Sequence, residues 1–140
     1  MDRAREARAA LKEAGLKVTA ERTALMAALM ATRHPASTRE LLLSVDGMDR
    51  TTVYRNLQGF VRAGIARKVD VGHRHAHFES ALGVEHHHLI CGRCGKVEDV
   101  SFCPDPVLQA AMLRKSSFSS IESHTLEFRG TCKACARKSA

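Results

Sequence analysis

Four of the five cysteines fall into two pairs of identical spacing, Cys91-Gly92-Arg93-Cys94 and Cys132-Lys133-Ala134-Cys135, with 37 residues between the pairs. A C-x-x-C turn brings two thiolates to one centre. Two such turns complete a tetrahedral four-thiolate shell with no position left for water or substrate, which is the chemistry of structural zinc rather than of catalysis. Cys103 stands alone before Pro104 and reads as a packed small hydrophobe. Just ahead of the first pair, the run Glu85-His86-His87-His88 supplies imidazole and carboxylate ligands separately, for a metal to which the chain responds. Side chains alternate along a strand, so His86 and His88 share one face while His87 points to the other, and one short strand can feed two centres. His73, His75 and His77 are spaced to line one strand face as well, either as further ligands or as plain surface histidines.

The elements that must position these groups can be read from pattern. Residues 2–14 are rich in Ala, Arg, Glu and Lys and predict a helix ended by Gly15. Thr19 offers the cap of a second helix with an apolar stripe of Leu25, Met26, Leu29 and Met30, broken by His34-Pro35. Ser37 with Glu40 forms a capping box for a third, and Thr51 or Thr52 caps a fourth that Gly64 closes. The period then changes: residues 65–71 and 74–78 predict two strands about Gly72. Three helices and a hairpin outline a winged helix preceded by an extra helix, and in that outline residues 51–63 enter the major groove of DNA. Beyond a hinge, residues 86–91 and 96–100 predict strands around the first cysteine turn. A helix over 107–115 with Pro106 at its start follows, then a strand over 121–128. The expected organisation is α+β: a winged-helix domain over 1–79, a hinge over 80–85, and a small α/β domain with the four-cysteine site over 86–140.

Charge divides the chain along the same line. Residues 1–72 carry 13 Lys and Arg against 8 Asp and Glu, whereas residues 73–140 carry 9 against 7 and hold seven of the eight histidines. A basic front half joined to a ligand-rich back half suggests a polyanion-binding module joined to a metal module. No apolar run is long enough to span a membrane and the N-terminus does not read as a signal peptide, so the expected compartment is the cytoplasm, where thiolates favour metal over disulfide.

In four stretches the residues resemble the ferric uptake regulator superfamily: Ala14-Gly15-Leu16-Lys17-Val18-Thr19 with Arg22; Thr51-Thr52-Val53-Tyr54-Arg55-Asn56-Leu57; His86 through Lys96; and His124 with Gly130-Thr131-Cys132-Lys133-Ala134-Cys135. The resemblance covers nearly the whole chain. It implies a cytoplasmic homodimer that represses transcription by binding palindromic operator DNA when its sensing site holds metal, and that is not an enzyme. It implies zinc at Cys91, Cys94, Cys132 and Cys135, and a sensing site of His34, Glu79, His86 and His88 with Asp99 added. Such mixed ligands suit Fe(II), the expected ion, and also Zn(II), Mn(II) or Ni(II). A second centre of relatives matches Glu85, His87 and His124. Its remaining glutamate falls near Pro106 or Val107, which cannot ligate, leaving Asp105 or Cys103 as substitutes. Lys17, Arg22, Thr52, Tyr54 and Arg55 match the DNA-binding residues. A tyrosine can pack on a thymine methyl and an arginine can hold a phosphate or a guanine edge, with Tyr54 expected to be exposed. The aspartate at position 99 also resembles peroxide sensors of the same superfamily. Readings from other classes, a zinc hydrolase built on His86, His88 and Glu79 or a zinc-buffering protein, leave the basic helical half without a role.

Overall fold

A computed structural model of the chain describes residues 2–72, 74–83, 86–101, 106–121, 124 and 126–139. The chain divides into two compact units, Met1–Gly83 and Val84–Ala140.

In the first unit, helix α1 (Arg3–Glu13) is capped by the Asp2 carboxylate, and Gly15 beyond it takes φ 72°, the left-handed geometry that stops a helix. Helix α2 (Ala20–Ala31) starts at Thr19, whose Oγ1 accepts from Arg22 N at 3.2 Å. A two-residue strand β1 (Ala36–Ser37) leads into α3 (Thr38–Leu43), where the expected capping box is complete: Glu40 N donates to Ser37 Oγ at 3.1 Å and Ser37 N donates to the Glu40 carboxylate at 2.6 Å. Helix α4 (Arg50–Arg62) is capped two or three residues earlier than the sequence pattern predicts, by Asp49, whose carboxylate accepts from Thr52 N at 2.7 Å. The carboxylate is the stronger cap, and it turns Thr51 and Thr52 into first-turn residues. Strands β2 (Ala66–Val69) and β3 (His77–Ser80) form the hairpin, with β1 on the other side of β3, so the sheet order is β1-β3-β2, all antiparallel. The second hairpin strand thus lies three residues beyond the expected 74–78, because its register is set by pairing with β1 as well as β2. Leu11, Leu25, Met26, Leu29, Leu41, Val53, Leu57, Phe60 and Phe78 close one apolar core beneath these elements.

In the second unit, strands β4 (His87–Cys91) and β5 (Val97–Val100) run antiparallel around the first cysteine turn, where Gly95 supplies a φ of 74°. Helix α5 (Pro106–Arg114) begins on Pro106 as expected and buries none of its residues within the chain. Strand β6 (Glu127–Gly130) then pairs parallel with β4, giving the order β5-β4-β6. A short helix α6 (Lys133–Lys138) carries the second cysteine pair. It was not expected, since its cap is a thiol: Cys135 N donates to Cys132 Sγ at 3.5 Å. No described helix is long and apolar enough to cross a membrane.

Candidate metal centres and nucleic-acid interface

The four cysteine sulfurs of Cys91, Cys94, Cys132 and Cys135 all lie within 4.8 Å of one another, and none is in a disulfide. A tetrahedron of Zn–S bonds of about 2.3 Å requires sulfurs about 3.8 Å apart; Cys94 Sγ and Cys132 Sγ are 3.8 Å apart. The site fits zinc. Parallel pairing of β4 with β6 sets Cys91 opposite Gly130, and Gly92 N donates to Gly130 O at 2.9 Å, so the two turns arrive side by side. Main-chain N–H groups already favour thiolate: Cys132 N donates to Cys91 Sγ at 3.4 Å, and such bonds hold Cys91 down to about 6. Cys135 is pushed up to about 12 by the thiols of Cys132 and Cys94 beside it. A divalent cation removes that crowding of negative charge.

The alternation of β4, carried back to His86 just before it, separates the three histidines. The His86 and His88 rings lie 5.1 Å apart, edge to face, while the His87 ring meets that of His124, with the two Nε2 atoms 3.3 Å apart. His87 and His88 are 3% and 4% exposed, close to complete burial. His88 Nδ1 is bonded to Asp99 Oδ1 at 3.0 Å, across the register that pairs these residues, which fixes the orientation of the ring. Of the expected second centre, His87 and His124 come together, while Glu85 and Asp105 lie outside the described residues, as do Cys103 and His73. In the first unit Glu79 is buried on β3, with Arg67 Nη1 3.8 Å from its carboxylate. His34 is exposed after α2. His77 Nδ1 is 3.0 Å from His75 O, and its imidazole and that of His34 help hold the Glu40 carboxyl below the usual range, after the dominant Ser37 N–H bond.

A cleft in the first unit is rich in cations. Arg39 of α3, Arg50 and Tyr54 of α4, Lys68 of β2, and Arg74 and His75 of the wing line this cleft of about 880 Å³, with Asp70 as the one acid among its described lining residues. Arg50 is the first residue of α4, directly after the Asp49 cap. A cation there opposes the helix dipole, an effect that the Asp49 carboxylate at the cap offsets. Composition alone missed these four cations; the signal available was a basic residue at the start of a helix. Arg55 is exposed, but Tyr54, for which exposure is expected, is only half so. Its ring stands edge-on to Phe78, centroids 6.1 Å apart, so part of the tyrosine completes the core. Lys17 is exposed in the turn after Gly15, and Arg22 is turned inward onto Asn56 and the Lys17 carbonyl.

Comparison with known proteins follows the same outline. Residues 13–129 match the ferric uptake regulator family. The ferric uptake regulation protein of Legionella pneumophila is 32% identical over 133 residues, covering 89% of this chain and 95% of that protein. The peroxide operon regulator of Bacillus subtilis is 27% identical over 138 residues, covering 96% and 94%. The solved structure of the ferric uptake regulator from Pseudomonas aeruginosa with manganese superposes with a TM-score of 0.73 at 25% identity, covering 91% of this chain and 98% of that one. A match across most of the sequence, over a four-thiolate centre and a helical unit with a winged hairpin, places the chain in the ferric uptake regulator family.

Proposed function

We propose that this chain is a metal-responsive transcriptional repressor that binds operator DNA as a homodimer when its sensing site is filled, and so controls metal homeostasis. The observation that carries the DNA reading is the cleft beside α4, where Arg39, Arg50, Lys68 and Arg74 converge, four cations to one acid, Asp70. Tyr54 and Arg55 read base edges from α4, with Thr52 at its first turn and Lys17 outside it. The sensing ligands are His34, Glu79, His86 and His88 with Asp99, and residues 80–85 act as the hinge between the modules. Support comes from the buried Glu79 carboxylate and from the Asp99 bond that orients His88. Iron(II) is the expected ion, and zinc, manganese or nickel suit the same donors. The second copy is expected to cover α5, whose Val107, Leu108 and Met112 are all more than half exposed.

The test is a DNA-retardation titration of the zinc-containing protein with Fe(II), Mn(II), Zn(II) and Ni(II) in turn, each preparation analysed for metal. Steep enhancement by one ion beyond the zinc complement is expected. DNA affinity indifferent to every ion would refute the reading. A second reading, peroxide sensing, is favoured by the aspartate at position 99 and by the similarity to the Bacillus subtilis regulator. It requires that peroxide abolish DNA binding of the Fe(II) form, but not of the Mn(II) form.

A further inference from the structure

Arg22 matches a basic DNA contact by resemblance, yet its side chain is committed within the fold. Nε donates to Asn56 Oδ1 at 3.0 Å and Nη1 donates to Lys17 O at 3.1 Å. The other amide atom of Asn56, Nδ2, donates to Thr52 O at 3.0 Å. The two partners settle which way the amide points, because a guanidinium can meet only its oxygen and a carbonyl only its NH2. At the main chain Arg22 N is held by Thr19 Oγ1. One guanidinium therefore ties the turn that presents Lys17 to the first two turns of α4, across 34 residues of sequence.

We propose that Arg22, through Asn56, is a positioning residue that sets the spacing between the Lys17 ammonium and the base-reading end of α4, and through it the sequence discrimination of the protein. This rests on the DNA-binding reading above. Lys17 is exposed and sits in a turn with no helix of its own. A side chain so placed holds a phosphate or groove edge wherever it finds one. It contributes to discrimination only when its distance from Tyr54 and Arg55 is fixed, since discrimination is a difference between affinities for right and wrong sites. A planar guanidinium can bond in two directions at once; an ammonium on a flexible stem does not reproduce that geometry. Arg22→Lys therefore keeps the charge and removes the brace, while Asn56→Ala removes the brace from the other end and leaves both cations untouched.

The experiment uses the Mn(II)-loaded full-length protein, a duplex enriched by the wild type from a randomised pool, and a scrambled duplex of equal composition. Arg22→Lys and Asn56→Ala should each lower the ratio of selected to scrambled affinity by about ten-fold, the scale of one lost base-pair readout. The double variant should lose no more than either single one, as expected for two ends of one link. Affinity for the scrambled duplex should hold within about two-fold, with an unchanged salt slope. Three results would overturn the proposal. In one, Asn56→Ala is inert while Arg22→Ala shallows the log–log salt slope by about 0.9, the mark of a direct phosphate contact. In another, Arg22→Lys retains full discrimination. In the third, the variants melt earlier and weaken on both duplexes in equal proportion, the mark of a role in stability alone. A wild type that enriches no duplex removes the DNA reading itself, and the proposal with it.

Discussion

At the scale of single residues, the four thiolates are the most demanding feature. Cys91→Ser or Cys132→Ser should release zinc and cost the second unit its folded state, because a structural zinc supplies on the order of 10 kcal/mol of apparent binding energy. Elemental analysis and a thermal melt check this, and a variant that keeps its transition would remove the structural role. The histidines at the start of β4 and just before it give a sharper contrast. His86→Ala together with His88→Ala should abolish metal-stimulated DNA binding and leave the zinc content intact, whereas His87→Ala, whose ring meets His124 on the opposite face, should do much less. Equal damage from His87→Ala in a metal-dependent retardation assay would reverse that assignment. The cysteines and the split of the β4 histidines were legible in sequence because their chemistry is written in spacing. Arg22 was not: its resemblance pointed outward to DNA, and only a partner on another helix shows that it turns inward. Tyr54 was half legible for the same reason, since its contact with Phe78 depends on where β3 falls.

At the scale of elements, local signals served best where one side chain decides the boundary. The Ser37–Glu40 box was legible because both partners lie within one turn, and Ser37→Ala should destabilise the first unit by about 1 kcal/mol in a denaturant titration. Acid should act on the same box. The Ser37 N–H holds the Glu40 carboxyl below its ordinary value, so its contribution is present above the unfolded carboxylate range and is lost as pH falls through the depressed folded value. Glu40→Gln should flatten the acid limb of the stability profile, and an unaltered limb would show that the box carries no linkage. The boundaries that sequence misplaced depend on distant partners. Strand β1 has two residues and exists because Ala36 pairs with Phe78. Strand β6 starts at Glu127 rather than 121 because its pairing with β4 opens opposite His88. Helix α6 has six residues and a thiol cap, which no propensity rule recognises.

At the scale of the whole molecule, the helical outline, the wing and the closed zinc site could be read from sequence, whereas the cationic cleft could not, because its four cations come from separate stretches of chain. If those cations hold phosphates, operator affinity should fall with salt at a log–log slope of about −0.9 per phosphate. Arg50→Ala with Lys68→Ala should shallow the slope by about 2 of those increments, and an unchanged slope would show that the cleft serves another purpose. If metal shifts the chain toward a DNA-competent form, carrying the population from about 1:99 to 99:1 takes roughly 5.5 kcal/mol of differential metal affinity, so a titration of DNA affinity against metal should show a shift of that size.

The parallel pairing of β4 with β6 also bears on how quickly the chain reaches this state. Parallel neighbours cannot be joined by a tight turn, and here the crossover runs from Cys91 to its partner Gly130 by way of α5. Closing a loop of that length costs about 3 kcal/mol of chain entropy on the length-dependent part alone, before any pairing compensates it. Non-local pairing of this kind is slow. The first cysteine turn, by contrast, is local and forms early, so zinc caught there can capture Cys132 and Cys135 and close the crossover ahead of the strands. Refolding of the second unit from denaturant should therefore run faster when zinc is present from the first mixing than when it is added later, as followed by stopped-flow circular dichroism. Identical rates would mean that the metal locks a finished fold and plays no part in finding it.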